Sequence, residues 1–328
     1  MNFLSHKRVL VTGGAGFLGR NVCRALHRYE PAAICAPRSA EFDLRDPDAV
    51  GRLMAHARPD VVLHLAAVVG GIGANRDNPG RFFYDNAIMG IQLMEAARHQ
   101  GIAKFVTVGT VCAYPRDTPV PFRESDLWNG YPEETNAPYG LAKKMLIAMG
   151  HAYRLQYGFN AISLLPSNLY GPGDNFDEQT CHVIPALIRK MVVAAAEGKE
   201  EVVLWGTGRA SREFLFVRDA AEAVVLAAEH YSAPDPVNIG VGREITIGAL
   251  AGIIARLCGY QGRVRWDATM PDGQPRRCLD TSRAAHAFGF RAKMDFEAGV
   301  AETVSWYLRN RREPTGAAAT PALQGVAG

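Results

Sequence analysis

The sequence predicts an α/β fold, a doubly wound parallel sheet followed by a smaller α+β domain, and three observations carry that prediction. Short apolar, β-branched runs alternate with stretches of helical period through about residue 170, the pattern of parallel strands joined by crossover helices. A glycine-rich turn, Thr12-Gly13-Gly14-Ala15-Gly16-Phe17-Leu18-Gly19, separates the first strand from the first helix. Near Asp174 the composition shifts and the alternation loses its regularity.

The elements follow in order. Arg8-Val9-Leu10-Val11 reads as a buried strand, and Arg20 to Tyr29 carries helical periodicity. Between them, Gly13, Gly16 and Gly19 permit a tight turn and a close approach of backbone to a pyrophosphate. That pyrophosphate would rest on the free N–H groups and positive dipole end of the helix. Strand, glycine turn and helix in this order make the domain Rossmann-like and predict a dinucleotide held by Gly13, Gly14, Ala15, Gly16, Phe17, Leu18 and Gly19. The second strand is Ala32 to Ala36. An NAD site usually has a carboxylate at its end, to hold the ribose 2′-hydroxyl. Here Pro37-Arg38-Ser39 follows, and the Arg38 guanidinium suits a 2′-phosphate, so NADP(H) is expected over NAD(H). Asp43 and Leu44 would flank the adenine.

Pro47 to Arg58 is a helix and Pro59 to Ala67 a third strand, ending in small residues beside the cofactor. His64 lies among apolar neighbours in that strand and reads as a core histidine. Val68 to Asn78 is a glycine-rich loop able to close over a substrate, and Asn86 to Gln100 a helix. The strand Lys104 to Gly109 leads to Thr110 and Cys112, then to a long proline-containing loop from Tyr114 to Ala137, uncommon at that length unless functional. Ala137 to Tyr157 is a helix, Asn160 to Pro166 a strand, and Ser167 to Gly173 a turn-rich exit. Beyond these come a helix from Cys181 to Lys190, strands at 201–206 and 212–217, a helix at 218–230, a strand at 236–240, a helix at 246–257, a strand at 263–266, the loop 271–277, and helices near Thr281 and over 296–310. Residues 1–173 with about 214–240 are therefore expected to form the dinucleotide-binding domain. Residues 174–213 with about 241–312 would form the substrate domain, and 313–328 a disordered tail.

Tyr139 and Lys143 stand one helical turn apart on one face. An ammonium beside a phenol is expected to pull its pKa below the reference of roughly 10, making a general acid or base near neutral pH. Thr110 and Cys112 emerge at the end of the preceding strand, where open α/β sheets bind their ligands.

The composition, 48% hydrophobic and 21% charged, is that of an ordinary globular protein. A net charge of +3 is too weak for a nucleic-acid footprint. The six cysteines are scattered without C-x-x-C spacing and read as reduced thiols, neither a disulfide framework nor a metal site. No apolar run approaches the ~20 residues of a membrane span, and the first residues lack a signal-peptide pattern, so a cytoplasmic location is expected.

The glycine turn Thr-Gly-x-x-Gly-x-x-Gly together with Tyr-x3-Lys resembles the extended short-chain dehydrogenase/reductase family, in its NAD-dependent epimerase/dehydratase group, over roughly residues 7 to 310. More narrowly, several blocks are similar to the members that epimerise and reduce a GDP-4-keto-6-deoxy sugar. They are Ala66 to Ile72, Cys112-Ala113-Tyr114-Pro115, Asn168 to Pro172 with Asp174-Asn175-Phe176, and His182 to Leu187. Trp205 to Gly208, Arg212 to Leu215 and Pro271 to Arg276 extend the likeness. The resemblance implies conversion of GDP-4-keto-6-deoxy-D-mannose to GDP-L-fucose by C3/C5 epimerisation and then C4 reduction.

In that scheme Tyr139 protonates the C4 oxygen, Lys143 lowers the tyrosine's pKa and holds the nicotinamide ribose, and Thr110 hydrogen-bonds the C4 oxygen. Cys112 and His182 form the epimerising pair, since inverting a carbon next to a ketone needs one group to take a proton and another to return it. The resemblance adds Leu65, Ala66, Ala67, Asn86, Val108, Pro166, Asn168, Leu169 and His182 to the cofactor site. It assigns Lys190, Trp205, Arg212 and Asp272 to the GDP-sugar. It also implies a homodimer. One departure is Ala15, where the family usually has an arginine near the adenosine phosphate; Arg38 stands in for it at a shifted position. Dehydratases of the same fold place Asp-Glu where this chain has Val111-Cys112, so elimination of the 6-hydroxyl lacks its acid pair; the alternative is a related nucleotide-sugar epimerase, reductase or dehydratase acting on a different GDP-, UDP- or dTDP-sugar.

Overall fold

The computed structural model describes residues 2–270 and 272–311. The tail expected at 313–328 lies outside them. Among the described residues twelve strands and ten α-helices follow in order: β1 (Arg8–Thr12), α1 (Phe17–Leu26), β2 (Ala33–Cys35), α2 (Pro47–Ala57), β3 (Val61–His64), α3 (Ile72–Asp77), α4 (Pro79–His99), β4 (Lys104–Val108), α5 (Ala137–Tyr157), β5 (Ala161–Pro166), β6 (Asn168–Tyr170), α6 (Val183–Ala196), β7 (Glu201–Trp205), β8 (Ser211–Arg212), β9 (Phe214–Phe216), α7 (Val217–His230), β10 (Val237–Ile239), β11 (Ile245–Thr246), α8 (Ile247–Leu257), β12 (Arg263–Asp267), α9 (Ser282–Phe288) and α10 (Phe296–Asn310).

Six strands form one parallel sheet in the order β10-β5-β4-β3-β1-β2. The chain moves outward from β1 to β2, then returns to β3 on the other side, so the order reverses between β1 and β3. That reversal opens the crevice in which α/β sheets bind ligands. All but the edge strand β2 are buried on both faces, as parallel strands under two helical layers must be. One face carries Val9, Val11, Val61, Leu63, Val106 and Ile162 against α1 and α7. The other carries Leu10, Val62, Phe105 and Ala161 against α2, α4 and α5. A further core gathers Ile184, Ile188 and Met191 of α6, Leu204 of β7, Phe214 of β9, Ile254 of α8 and Val300 of α10. It is flanked by three two-stranded sheets, β6–β9, β7–β12 and β8–β11.

Three expectations change. The glycine-rich stretch Val68 to Asn78 contains a helix, α3, because Asn75 donates its amide to the carbonyls of Gly70 and Gly71 (2.8 and 3.1 Å) and gathers the loop into a turn. Helix α4 begins at Pro79, seven residues before Asn86, with proline at a position where its missing N–H costs nothing. The exit after β5 includes a strand, β6, since Asn168 to Tyr170 pair with Phe214 to Phe216. Among the described residues no helix is long and apolar enough to cross a membrane.

Candidate active site

The glycine turn lies at the strand-order reversal. Gly13 has φ +70°, and a Cβ there would lie 2.9 Å from Ala66 N, so the turn is pressed onto the end of β3. A Cβ on Gly14 would lie 2.6 Å from the Ala36 Cβ, and one on Gly19 would strike the Gly13 carbonyl. A side chain at any of the three would push the turn off the ends of β2 and β3 or off the start of α1. Gly16 caps α1 without a side-chain bond, which leaves the first N–H groups of that helix for an anion. The residues thus fit a dinucleotide pyrophosphate. Leu65, Ala66 and Ala67 leave β3 half-buried beside this turn, and Asn86 secures them: it accepts from Val68 N at 3.0 Å and donates to Val68 O at 2.8 Å. Asn86 therefore shapes the cofactor wall through the backbone, with its amide already engaged.

Arg38 is exposed just beyond β2. The Arg45 guanidinium grips Asp43 at 2.7 Å and holds its carboxyl down at about 2. Leu44 is buried in the core under α2. At the far side of the sheet, Val108 is buried at the end of β4 and Pro166 closes β5. Asn168 donates to the Glu213 carbonyl at 2.9 Å, and Leu169 packs on the main core.

Thr110, Cys112, Tyr139 and Lys143 come together at the end of β4. Thr110 caps the 3-10 turn Val111–Ala113, its Oγ1 accepting from Cys112 N at 3.2 Å. Helix α5 arrives through Glu133, whose carboxylate takes the Thr135 hydroxyl at 2.7 Å and the Asn136 amide at 2.6 Å and turns the chain into the helix. The approach is close because of Gly140: a Cβ there would press on the Cys112 carbonyl oxygen and lie 3.0 Å from its carbon. Tyr139 and Lys143, both buried, are thereby set over the Thr110–Cys112 turn.

The electrostatics correct one expectation. Burial pushes the Tyr139 phenol well above its ordinary pKa, with a further push from Cys112, and the Thr110 hydroxyl offsets only part of it. Lys143 does not offset it, because the same burial penalises its own charge and pulls the ammonium down to about 8. The phenol is thus held protonated, in the form that can donate. Beneath Lys143 runs a polar row across four strands, Thr12, His64, Thr107 and Ser163, paired in register. His64 is a core histidine: its Nδ1 lies 2.9 Å from Thr12 Oγ1, and burial and the Lys143 charge lower its pKa to about 3.

His182 caps α6 at the edge of the cleft, beside the α3 loop, where Gly71 N donates to Thr180 O at 3.1 Å. Surrounding protein pulls its imidazole below the ordinary range, while the residue as a whole is exposed. Lys190 lies half-buried on the same helix. Trp205, at the end of β7, is 60% exposed. The Asp272 carboxylate is occupied by the Thr207 N–H (2.7 Å) and hydroxyl (2.6 Å), and Arg212 reaches the Asp272 carbonyl at 3.4 Å. Burial and the neighbouring Arg277 lower the Arg212 pKa to about 10.

The sequence reading passed over Arg277. It is buried, bonds Gln274 Oε1 through Nε and Nη2 (3.1 and 2.9 Å), and donates from Nη1 to Cys112 Sγ at 3.5 Å. Its only sequence signal was the pair Arg276-Arg277 in a loop already singled out. Among the described residues no group of three or more His, Cys, Asp or Glu is placed to hold a metal ion.

A parallel doubly wound sheet with a glycine turn at its switch point, and a buried Tyr–Lys pair beyond the next strand ends, defines an α/β enzyme of the dinucleotide-binding class. More narrowly, the model of the NAD dependent epimerase/dehydratase family matches residues 9–240, and the chain belongs to that family. It is 40% identical over 312 residues to a probable GDP-L-fucose synthase 1 of Oryza sativa subsp. japonica, covering 94% of this chain and 95% of that protein. It is 39% identical over 317 residues to the GDP-L-fucose synthase of Escherichia coli, covering 94% and 98%. A GDP-L-fucose synthetase from Naegleria fowleri solved with NADP bound has a similar structure, with a TM-score of 0.86 at 28% identity over 94% of this chain and 96% of that one.

Proposed function

We propose that the chain is an NADPH-dependent epimerase–reductase that converts GDP-4-keto-6-deoxy-D-mannose to GDP-L-fucose. The observation that carries the reading is the packing of α5 on the Thr110–Ala113 turn through Gly140, which sets the Tyr139 phenol beside the Thr110 hydroxyl and close enough to feel the Cys112 thiol. The near-full-length likeness to GDP-L-fucose synthases favours the GDP-sugar.

The cradle of Gly13, Gly14, Gly16 and Gly19 holds the dinucleotide pyrophosphate, and Arg38 takes the 2′-phosphate. The bound nicotinamide supplies hydride for C4. Tyr139 donates its proton to the C4 oxygen, which Thr110 orients, and Lys143 holds the ribose. Before reduction the 4-ketone acidifies the protons at C3 and C5. Cys112 and His182 exchange those protons from opposite faces. Arg212 and Lys190 meet the diphosphate, and the exposed Trp205 offers a face for the base. Residues 1–173 with about 214–240 serve the cofactor, and 174–213 with about 241–312 the sugar nucleotide. The working form we propose is a cytoplasmic homodimer. Incubation with NADPH and a panel of GDP- and UDP-4-keto sugars, with product stereochemistry read by NMR, tests this. Oxidation of NADPH with inversion at C3 and C5 of the GDP-6-deoxy sugar supports the reading. Turnover only of UDP-sugars, or with retained configuration, rejects it.

A further inference from the structure

One fully buried carboxylate ties together the segments that surround the cleft. Glu213, between β8 and β9, is 1% exposed. Its Oε1 accepts from the N–H of Val241 and, at 2.8 Å, from that of Gly242; its Oε2 accepts from Leu279 N at 2.7 Å. The backbone of the same residue adds two bonds: its N–H donates to the Arg277 carbonyl at 3.1 Å, and its carbonyl accepts from Asn168 Nδ2 at 2.9 Å. Gly240 passes so close that a Cβ there would press on Glu213 Oε1. The exit of β10, the 277–279 segment and β6 are all fastened to one residue.

The acceptor must be a carboxylate. Three N–H groups converge on its two oxygens, so a glutamine would turn its own N–H₂ toward at least one of them, leaving buried donors unpaired at roughly 1–3 kcal/mol each. Burying the charge is tolerable only because its oxygens are satisfied in this way.

What this fastening holds in place is Arg277. Its guanidinium is a rigid fork: Gln274 takes Nε and Nη2, and Nη1 is left directed at Cys112 Sγ. The Glu213 backbone N–H holds the Arg277 carbonyl, and the Glu213 carboxylate fixes the same segment two residues on, at Leu279 N, so the side chain sets the path of the backbone that carries the fork.

We propose that Glu213 is the positioning residue of the proton-exchange half of the reaction: it locks the 277–279 segment so that Arg277 aims the Cys112 sulfur at the ketosugar. The proposal rests on the epimerase–reductase reading for its substrate. Two assays on the full chain test it with Glu213→Gln, Arg277→Ala and the double variant. One follows deuterium uptake at C3 and C5 of GDP-4-keto-6-deoxymannose in D2O without NADPH. The other follows alkylation of Cys112 by iodoacetamide, read by peptide mass, and needs no substrate.

Each single variant slows deuterium uptake by about 10- to 100-fold, the order expected of a catalytic group displaced by about 1 Å. Each shifts the alkylation rate in the same direction and leaves NADPH binding unchanged. The double variant is no slower than Arg277→Ala, because both changes act through one contact. Losses that multiply in the double variant, or wild-type uptake and alkylation in Glu213→Gln, overturn the proposal. Absence of uptake by the wild-type protein rejects the epimerase–reductase reading, and the alkylation comparison then decides whether Glu213 acts through Arg277. If Glu213→Gln does not fold, Gly240→Ala, which crowds the same carboxylate, takes its place with the same expected result.

Discussion

Gly140→Ala separates the geometry of the site from the stability of the helix that carries it. The added methyl would press on the Cys112 carbonyl oxygen and lie 3.0 Å from Cys112 C and 3.4 Å from Ala113 Cα. Restoring ordinary contact requires α5 and the Thr110–Ala113 turn to part by about 1 Å, a misplacement that costs roughly 10²-fold in rate, or about 2.7 kcal/mol of barrier. Stability responds less. Overpacking costs about 1–3 kcal/mol, while alanine in place of glycine inside a helix returns about 1 kcal/mol. The variant therefore folds, melts within a few degrees of wild type, and loses about 10²-fold in kcat/KM for NADPH-dependent reduction. Gly51→Ala is the control: its Cβ meets nothing within 4 Å, so it gains roughly 1 kcal/mol and keeps full activity. Initial rates of NADPH oxidation and thermal melts of both proteins provide the measurement. A Gly140→Ala enzyme with wild-type kcat/KM would refute the claim that close packing at this glycine sets the site.

Three further outcomes are expected. Tyr139→Phe removes the donated proton and stops NADPH oxidation while fluorescence titration still detects cofactor binding; substantial residual turnover rejects the assignment. The burial-lowered pKa of Lys143 places its loss of charge at about 8, so kcat/KM for reduction falls as pH rises through that value, and a profile flat from about pH 7 to 9 contradicts it. The sign for stability runs the other way. Between about pH 8 and the unfolded lysine's value of about 10.4 the unfolded chain holds the extra proton, so this group adds stability with rising pH. Arg38→Ala raises the Michaelis constant for NADPH far more than that for NADH, and equal effects dismiss the 2′-phosphate contact.

Much of the scaffold could be read from local pattern. Buried parallel strands such as β1, β3, β4 and β5 announce themselves as short apolar runs, and the glycine spacing at 13, 16 and 19 has a direct backbone cause. Helix α3 was invisible because its turn is assembled by Asn75 reaching back to carbonyls in a stretch whose glycines read as loop. Strand β6 depends on β9, some 45 residues later, which no local window contains. In the site, the Tyr139–Lys143 spacing was legible, but its electrostatics were not: proximity in sequence suggested a lowered phenol pKa, and burial of both groups reversed the sign. Asp272 and Asn86 looked like ligand-facing polar residues, yet their bonds go to Thr207 and Val68. Arg277 meets Cys112 across 165 positions of chain, a contact only the folded topology provides.

The central claim is that a thiol and an imidazole move protons at C3 and C5 before a protonated phenol completes reduction at C4. Its most direct measurement is an NMR spectrum of the product formed by the wild-type and Cys112→Ser proteins from GDP-4-keto-6-deoxy-D-mannose and NADPH in D2O. The wild-type product carries deuterium and inversion at both carbons, and Cys112→Ser yields neither while its NADPH affinity stays intact. Deuterium at both carbons in the Cys112→Ser reaction would contradict the claim.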